Sequence, residues 1–107
     1  MKRGEVYYAE LGPVYGSEQG GTRPVLVVQN NKGNRYSSTT VVAAMTTRVK
    51  APLPTHVAVK IGDVNNTILL EKPREISKAR LISRVCTLNE EQMAMVDTAL
   101  KISLGLE

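Results

Sequence analysis

Residues 16–30 read GSEQGGTRPVLVVQN and divide into a loop followed by a strand. The first half belongs to a glycine-rich, polar stretch over residues 12–22, where regular structure is unfavourable, so we expect a mobile surface loop there. Arg23-Pro24 ends the loop, and the run Val25–Val28 that follows is continuously apolar. Such a run predicts a strand buried on both faces. Arg23 is therefore expected where a flexible loop meets a rigid strand.

Short strands are predicted on both sides of this stretch, because segments rich in β-branched or aromatic residues alternate with turn-forming residues. These strands cover residues 5–9, 39–45, 55–61, 67–70 and 81–87. Turns or irregular chain are predicted between them, at residues 30–38, 50–54 and 62–66. The strand at 67–70 would continue past Pro73 only if Pro73 lies at an edge or a bulge. A single helical turn is predicted at Ser77–Arg80.

The C-terminal segment changes from strand-like to helical periodicity. Asn89 is a good N-cap, and Gln92 stands three residues later, as in a capping box. Gly105 marks the stop. These signals predict a helix over residues 90–104, about four turns long. Its apolar stripe, at the spacing of one helical face, comprises Met93, Val96, Leu100 and Leu104.

The chain has 107 residues, which predicts a single domain over residues 1–107. Apolar residues make up 42% of it and include neither Phe nor Trp, so the core is expected to be aliphatic. Many short strands followed by one terminal helix predict a mainly β fold of the α+β class. We expect a small SH3-like half-open barrel of short antiparallel strands, with the helix covering one face.

Charge and cysteine usage constrain the partner and the compartment. Lys and Arg exceed Asp and Glu by four, and the isoelectric point is about 9.4, which is compatible with a polyanionic partner. Cys86 stands alone, so it cannot form an internal disulfide, and we expect it to be a small buried apolar residue. No apolar run reaches membrane-spanning length and no signal peptide is evident, so the predicted location is cytoplasmic.

Several common kinds of site are excluded by residue content. One Cys and one His cannot form a zinc cluster, and no metal or cofactor is expected. The glycine-rich loop lacks the Gly-Lys-Ser/Thr of a nucleotide-binding P-loop. A Ser–His triad would have to use His56, which we interpret as structural or at the surface.

One pair of residues suits a different chemistry. The apolar segment 41–45 ends at Thr46, and if its strand neighbours the one after Arg23, the two side chains approach at the sheet edge. RNA carries its own nucleophile, the 2′-hydroxyl, so a protein need only position and neutralise the phosphate. An Arg fork with a Thr hydroxyl fits that task. The residues alone also allow two simpler interpretations. Arg23 could be a surface ion-pair partner, and Thr46 could be present only because threonine favours strands.

The sequence resembles the MazF/PemK family of toxin–antitoxin ribonucleases over nearly its whole length. The segments that carry the resemblance are RGEVYYA (3–9), the highly specific stretch 16–30, GNRY (33–36), VVAAMT (41–46), LPTHV (53–57) and VDTALKISLGL (96–106). The resemblance implies a PemK-like half-open barrel and a homodimer. It also implies sequence-specific, metal-independent cleavage of single-stranded mRNA, which leaves 2′,3′-cyclic phosphate and 5′-hydroxyl ends and inhibits translation and growth.

The resemblance also implies roles for individual residues. The family's catalytic arginine and threonine fall on Arg23 and Thr46. RNA contacts are expected at Ser17, Glu18 and Gln19 of the loop and at Thr47 and Lys72. The family stretch around Lys72 usually lacks a proline, whereas here Pro73 follows. This departure concerns the base sequence that is recognised and not the catalytic pair.

Alternative functions differ in what the site does with nucleic acid. CcdB-like toxins share this architecture but poison DNA gyrase without cutting RNA, and a structural RNA-binding protein would have no turnover. Arg23-Pro24 together with the strand end Ala43–Thr46 favours the ribonuclease. The resemblance further implies a small cognate antitoxin, similar to MazE, whose acidic, partly disordered tail would fold across the basic groove.

Overall fold

The computed structural model describes residues 1–12, 21–48 and 50–106. Ser17, Glu18 and Gln19 therefore lie outside the described residues. The elements, in chain order, are β1 (Glu5–Glu10), β2 (Thr22–Val27), α1 (Asn31–Tyr36), β3 (Thr39–Thr46), β4 (His56–Ile61), β5 (Val64–Ser77), a 3₁₀ turn (Lys78–Arg80), β6 (Leu81–Thr87) and α2 (Glu90–Ser103). In this part of the chain the strands form one six-stranded sheet in the order β4-β5-β3-β2-β1-β6. Its pairings are antiparallel, and the predicted mainly β fold is confirmed.

The strand β2 lies inside the sheet and is buried on both faces, as its apolar run predicts. Leu26 packs into the larger core, which β-strand residues share with Val96 and Ala99 of α2. Val25 and Val27 point the other way, into a smaller cluster with Ala9, Leu11, Val42 and Ile76. The sheet therefore has a core on each face, and α2 covers only the larger one.

The sheet curls until its two edges approach each other. Ile61 and Val64, at the tip of the β4–β5 hairpin, and Val85 of β6 line one cavity of about 200 Å³. Since β4 and β6 are opposite edges of the sheet, a shared cavity requires strong curvature. This is the predicted half-open barrel.

The helix α2 begins as its capping signals predict. The Asn89 side chain accepts a hydrogen bond from the Gln92 backbone N–H at 2.8 Å, and the Gln92 side chain accepts one from the Asn89 N–H at 2.9 Å. Gly105 takes a φ of +70°, which favours glycine and ends the helix.

The prediction that Leu104 belongs to the apolar stripe of α2 is wrong. Leu104 is 60% exposed, because the helix ends at Ser103 and Leu104 is already its C-cap, outside the helical turn that faces the sheet. Ala99, which is 2% exposed, lies in the core with Val96, and Met93 and Leu100 pack beside them. The predicted helix is thus one residue too long.

Within residues 30–38, which were predicted to form a turn, Asn31–Tyr36 form the short helix α1. The Asn30 side chain caps α1 by accepting a hydrogen bond from the Gly33 N–H at 2.7 Å. Asn34, which is 3% exposed, accepts hydrogen bonds from Thr40 at 2.7 Å and from the Gln29 amide at 3.1 Å. Side-chain hydrogen bonds therefore hold α1, in place of the apolar periodicity from which helices are predicted.

The loop predicted at residues 62–66 is only the two-residue turn Gly62-Asp63. Ile61 pairs with Val64, and Gly62 has a φ of +61°, as a tight hairpin turn requires. Asparagine is common in turns, but Asn65 and Asn66 belong to β5 because they pair with β4.

The long strand β5 has an irregularity in its middle. On β3, Val42 pairs with Arg74 and Ala44 pairs with Leu69, so residues 70–73 are displaced from a regular ladder. Pro73, which has no N–H to donate, lies in this irregular stretch. The prediction that the strand passes Pro73 at a bulge is confirmed.

A buried carboxylate ties the start of β1 to β6. Glu5 is 7% exposed and accepts hydrogen bonds from the Lys2 backbone N–H at 2.6 Å, from Arg84 at 3.0 Å and from the Tyr7 hydroxyl at 3.2 Å. Burial by itself opposes ionisation, but these hydrogen bonds and the charge of Arg84 outweigh it, so the pKa of Glu5 lies below its ordinary value. The same burial and the neighbouring Glu5 charge raise the pKa of Tyr7.

Two further findings concern predictions made from composition. Cys86 is half-buried in β6 against the larger core, and its burial raises the pKa of the thiol. Among the helices of the described residues, none has the length and apolar character needed to cross a bilayer.

Candidate active site

Arg23 lies near the start of β2, and Thr46 is the last residue of β3, the strand that pairs with β2. The β2–β3 ladder pairs Val27 with Val42 and Val25 with Ala44, and the same antiparallel register, extended two residues past the last pair, leads to Arg23 and Thr46. Because side chains alternate along a strand, both residues point to the same face as Val25. The sequence analysis made their approach conditional on the two strands being neighbours, and that condition is met.

The pair belongs to one row of residues that crosses the sheet. Arg23 pairs with Ala9 of β1, Thr46 pairs with Thr67 of β5, and Thr67 pairs with Ala58 of β4. Neighbouring strands lie about 4.8 Å apart, so each step along the row is within reach of one phosphate group and its ester oxygens. The candidate site therefore extends across the strands, along this row, from β1 to β4.

The Thr46 side chain is buried and held in place. The residue is 2% exposed, and its hydroxyl oxygen accepts a hydrogen bond from the Arg48 backbone N–H at 3.1 Å. A hydroxyl that accepts one hydrogen bond still has its own proton to donate. For that proton to reach a substrate phosphate, the groups that cover Thr46 must shift.

Arg23 is half-buried and is anchored through its backbone in β2. It already engages other groups of the protein, so a substrate would compete with internal partners for its guanidinium. A guanidinium offers five N–H donors in a fixed fork, which is enough to serve both a protein group and a phosphate oxygen.

The remaining predicted RNA contacts fall in different places. Thr47 is exposed and follows Thr46 directly. Lys72 is also exposed, but it lies in the irregular stretch of β5, and no strand pairing brings it to the Arg23–Thr46 row.

His56 is engaged through both ring nitrogens. Its Nδ1 lies 3.1 Å from the Ala51 carbonyl oxygen and its Nε2 lies 3.1 Å from a Glu71 carboxylate oxygen. His56 thereby fastens the segment before β4 to β5, which agrees with the structural interpretation. Within the described ranges, no three His, Cys, Asp or Glu side chains are grouped as a metal site would require.

The structure also brings together residues that, apart from Thr47, the sequence analysis missed. A cleft of about 300 Å³ lies beside the row, and we call it the basic cleft. Its polar lining comprises Arg48, Lys50, Lys60, Thr47, Asn65 and Thr67, with Asn66 contributing at its wall. Arg48 and Lys50 come from the segment that follows β3, and Lys60 comes from β4, so no continuous basic motif marks the three cations in the sequence.

The curled sheet with its Arg–Thr row defines a class of protein. The model of the PemK-like, MazF-like toxins of type II toxin–antitoxin systems matches residues 2–104, and the chain belongs to this family. The resemblance seen in the sequence is thus confirmed.

Individual relatives agree with this assignment. Endoribonuclease EndoA of Bacillus subtilis (strain 168) is 53% identical over 111 residues, which cover 99% of this chain and 96% of EndoA. Among solved structures, an endoribonuclease from mycobacterial species in complex with its cognate antitoxin superimposes with a TM-score of 0.85 at 29% identity, over 100% of this chain and 97% of the other. MazF from Deinococcus radiodurans gives a TM-score of 0.84 at 25% identity, over 98% and 96%.

Proposed function

We propose that this toxin, which is an endoribonuclease like its relatives, cuts single-stranded RNA at the Arg23–Thr46 row without a metal ion. The observation that supports this proposal is the antiparallel pairing of β2 with β3, whose register, extended by two residues, leads to Arg23 and Thr46 on one sheet face. The identity to an endoribonuclease favours this function over the CcdB-like and non-catalytic alternatives.

The proposed reaction uses a nucleophile that the substrate supplies. The RNA 2′-oxygen loses its proton and bonds to the adjacent phosphorus, while the bond from phosphorus to the 5′-oxygen breaks and that oxygen gains a proton. The products are a 2′,3′-cyclic phosphate and a 5′-hydroxyl. Negative charge builds up on the non-bridging oxygens in the transition state, and preorganised donors at that point are the main source of rate enhancement.

Each member of the pair has a distinct task in this reaction. The Arg23 fork binds the non-bridging oxygens, neutralises their charge and takes part in proton transfer. The Thr46 hydroxyl, fixed by the Arg48 N–H, orients the phosphate or the 2′-hydroxyl. Thr47 contacts the RNA next to the cut, and Lys72 contacts it from β5.

The loop residues Ser17, Glu18 and Gln19 remain predicted RNA contacts of the same site. A loop that closes over bound RNA would exclude water from the reacting phosphate.

The proposed partners are a second copy of this chain and a cognate antitoxin of the MazE kind, in the cytoplasm. A related mycobacterial endoribonuclease has been solved with its antitoxin, which supports such a partner here. An acidic antitoxin tail would be attracted by the net charge of +4 on each chain. Sedimentation of the purified chain at several concentrations tests the homodimer.

The experiment that tests the function is cleavage of a long single-stranded RNA in excess EDTA, followed by sequencing of the fragment ends. We expect cutting at one short sequence with 5′-hydroxyl and cyclic-phosphate ends. Intact RNA, or cutting that the chelator abolishes, would contradict metal-independent ribonuclease activity.

A further inference from the structure

The basic cleft lies on the same sheet face as the proposed catalytic pair. Thr67 pairs with Ala58, and Asn65 pairs with Lys60, so the cleft floor consists of two successive cross-strand rows. Thr67 is also the partner of Thr46. The cleft therefore begins one strand spacing, about 4.8 Å, from Thr46.

The charge of the cleft is positive and unneutralised. Arg48, Lys50 and Lys60 are exposed, and within the described parts of the chain no carboxylate lies within salt-bridge distance of them. Asp63 in the adjoining hairpin turn is not part of the lining. Three like charges around one concavity repel each other, so they do not stabilise the fold. The same positive charges attract an anion.

The neutral groups of the lining suit phosphate oxygens. The Asn65 amide and the hydroxyls of Thr47 and Thr67 can donate hydrogen bonds, and Arg48 can donate in pairs from its fork. A volume of about 300 Å³ accommodates a phosphodiester together with part of its sugar. The lining thus has the donors and the charge that an RNA backbone needs.

The other side of the row is different in character. Beyond Arg23 the row continues to Ala9, which is fully buried, and then to Leu81, which packs against the same small apolar cluster. No comparable cation set follows in that direction along the described row. RNA that passes Thr46 therefore has a cationic path for its backbone toward β4, and the described residues of the row toward β6 offer none.

We propose that the basic cleft binds the RNA phosphate that neighbours the scissile one, on one side of the cut only. This inference rests on the proposed ribonuclease function, because it takes Thr46 as the position of the cut. The cleft thereby fixes the direction in which the RNA lies across the sheet and which flanking phosphate contributes to binding.

The test uses an oligoribonucleotide built around the mapped cleavage sequence. A 2′-deoxy sugar at the cut removes the nucleophile, so binding can be followed by fluorescence anisotropy without turnover. Each linkage in turn is replaced by a neutral methylphosphonate. With wild-type protein we expect the adjacent linkage on one side to weaken binding about tenfold or more, since a charge-assisted contact is lost.

The decisive variant is the double substitution Arg48→Gln/Lys60→Gln. It should bind unmodified RNA about tenfold more weakly and should no longer respond to methylphosphonate at that one linkage, because two changes in one contact are not additive. Lys101→Gln, an exposed lysine in the last turn of α2, is the matched control and should behave like wild type. Thermal unfolding of all the variants verifies that they are folded.

The proposal is overturned if the double variant keeps the full methylphosphonate response at every linkage. It is also overturned if the double variant binds RNA normally but loses affinity for a polyglutamate peptide, because the cleft would then serve an acidic protein partner. If the wild-type protein cuts no RNA, the proposed function is wrong, and this result does not decide whether the cleft binds RNA. The methylphosphonate scan on a short oligouridylate would then decide separately whether the cleft binds an RNA phosphate.

Discussion

Thr46 at the end of β3 lies directly opposite Thr67 of β5. This single pair joins the proposed catalytic row to the basic cleft, because Thr67 lines the cleft while Thr46 is buried beside it. A phosphate held at Thr67 would bring the next phosphate of the chain toward Thr46. Binding in the cleft and placement of the scissile group are thus coupled through neighbouring residues of one row.

Substituting Arg23→Ala is expected to lower the cleavage rate by about a hundredfold to a thousandfold or more, as happens when a donor to the transition state is removed. Arg23→Lys is the informative companion, because it keeps the charge but loses the fork and should recover only part of the rate. Initial rates on a defined transcript, with thermal unfolding as the folding control, measure both effects. An Arg23→Ala protein that cuts at close to the wild-type rate would show that Arg23 is not catalytic.

Thr46→Val keeps the shape of the side chain and removes only its hydroxyl. We expect kcat to fall by about tenfold to a hundredfold or more, while KM changes little, because the hydroxyl acts on the reacting phosphate. Stability should fall by about 1 kcal/mol, since the Arg48 N–H loses its acceptor. Thr46→Ser restores a hydroxyl and should restore most of kcat. Equal kcat values for Val and Ser variants would assign Thr46 a purely structural role.

Glu5 is expected to make stability depend on acid. Its pKa is lower in the folded chain than in the unfolded one, so its contribution is complete above the unfolded pKa, near 4.5, and is lost as the pH falls through the folded pKa. Glu5→Gln should therefore lower the free energy of unfolding by about 1–3 kcal/mol near neutral pH and by clearly less at about pH 3. Urea unfolding at both pH values measures this. Asp63→Asn at the exposed hairpin turn is the control, and an equal loss for Glu5→Gln at both pH values would exclude the linkage.

Asn34→Ala should destabilise the protein by about 2–3 kcal/mol, because Thr40 and Gln29 lose their buried acceptor. The neighbouring Arg35→Ala is the matched control on the same helix. Arg35 is exposed and lies over the Tyr36 ring, with 5.4 Å to the ring centroid, so its loss should change stability by about 0.5 kcal/mol or less. Denaturant midpoints compare the two variants. Similar midpoints would mean that α1 does not depend on the Asn34 network.

How well the sequence analysis predicted each element depended on the kind of interaction that forms it. Apolar patterning was sufficient for β2, and capping residues were sufficient for the start of α2. The helix α1 was missed because hydrogen bonds to Asn34 hold it, and Asn65 was placed in a turn because asparagine is common in turns, whereas the two-residue turn Gly62-Asp63 leaves it paired with Lys60.

The candidate site divides in the same way. Arg23 and Thr46 lie at the ends of two consecutive apolar strands, so their approach could be predicted from the residues, and the family resemblance assigned their roles. The basic cleft could not be predicted, because Arg48, Lys50 and Lys60 meet only through the register of β4 with β5 and the fold of the segment before it.

The β4–β5 hairpin is attached to the rest of the sheet through β5 alone, and β4 is an edge strand. Mutations there can lengthen the hairpin or change its charge while the β2–β3 ladder that holds Arg23 and Thr46 stays intact. Selection can therefore act on how tightly the RNA backbone is held without altering how it is cut. In a toxin, this separation lets the strength of RNA binding change between lineages while a single cleavage chemistry is inherited unchanged.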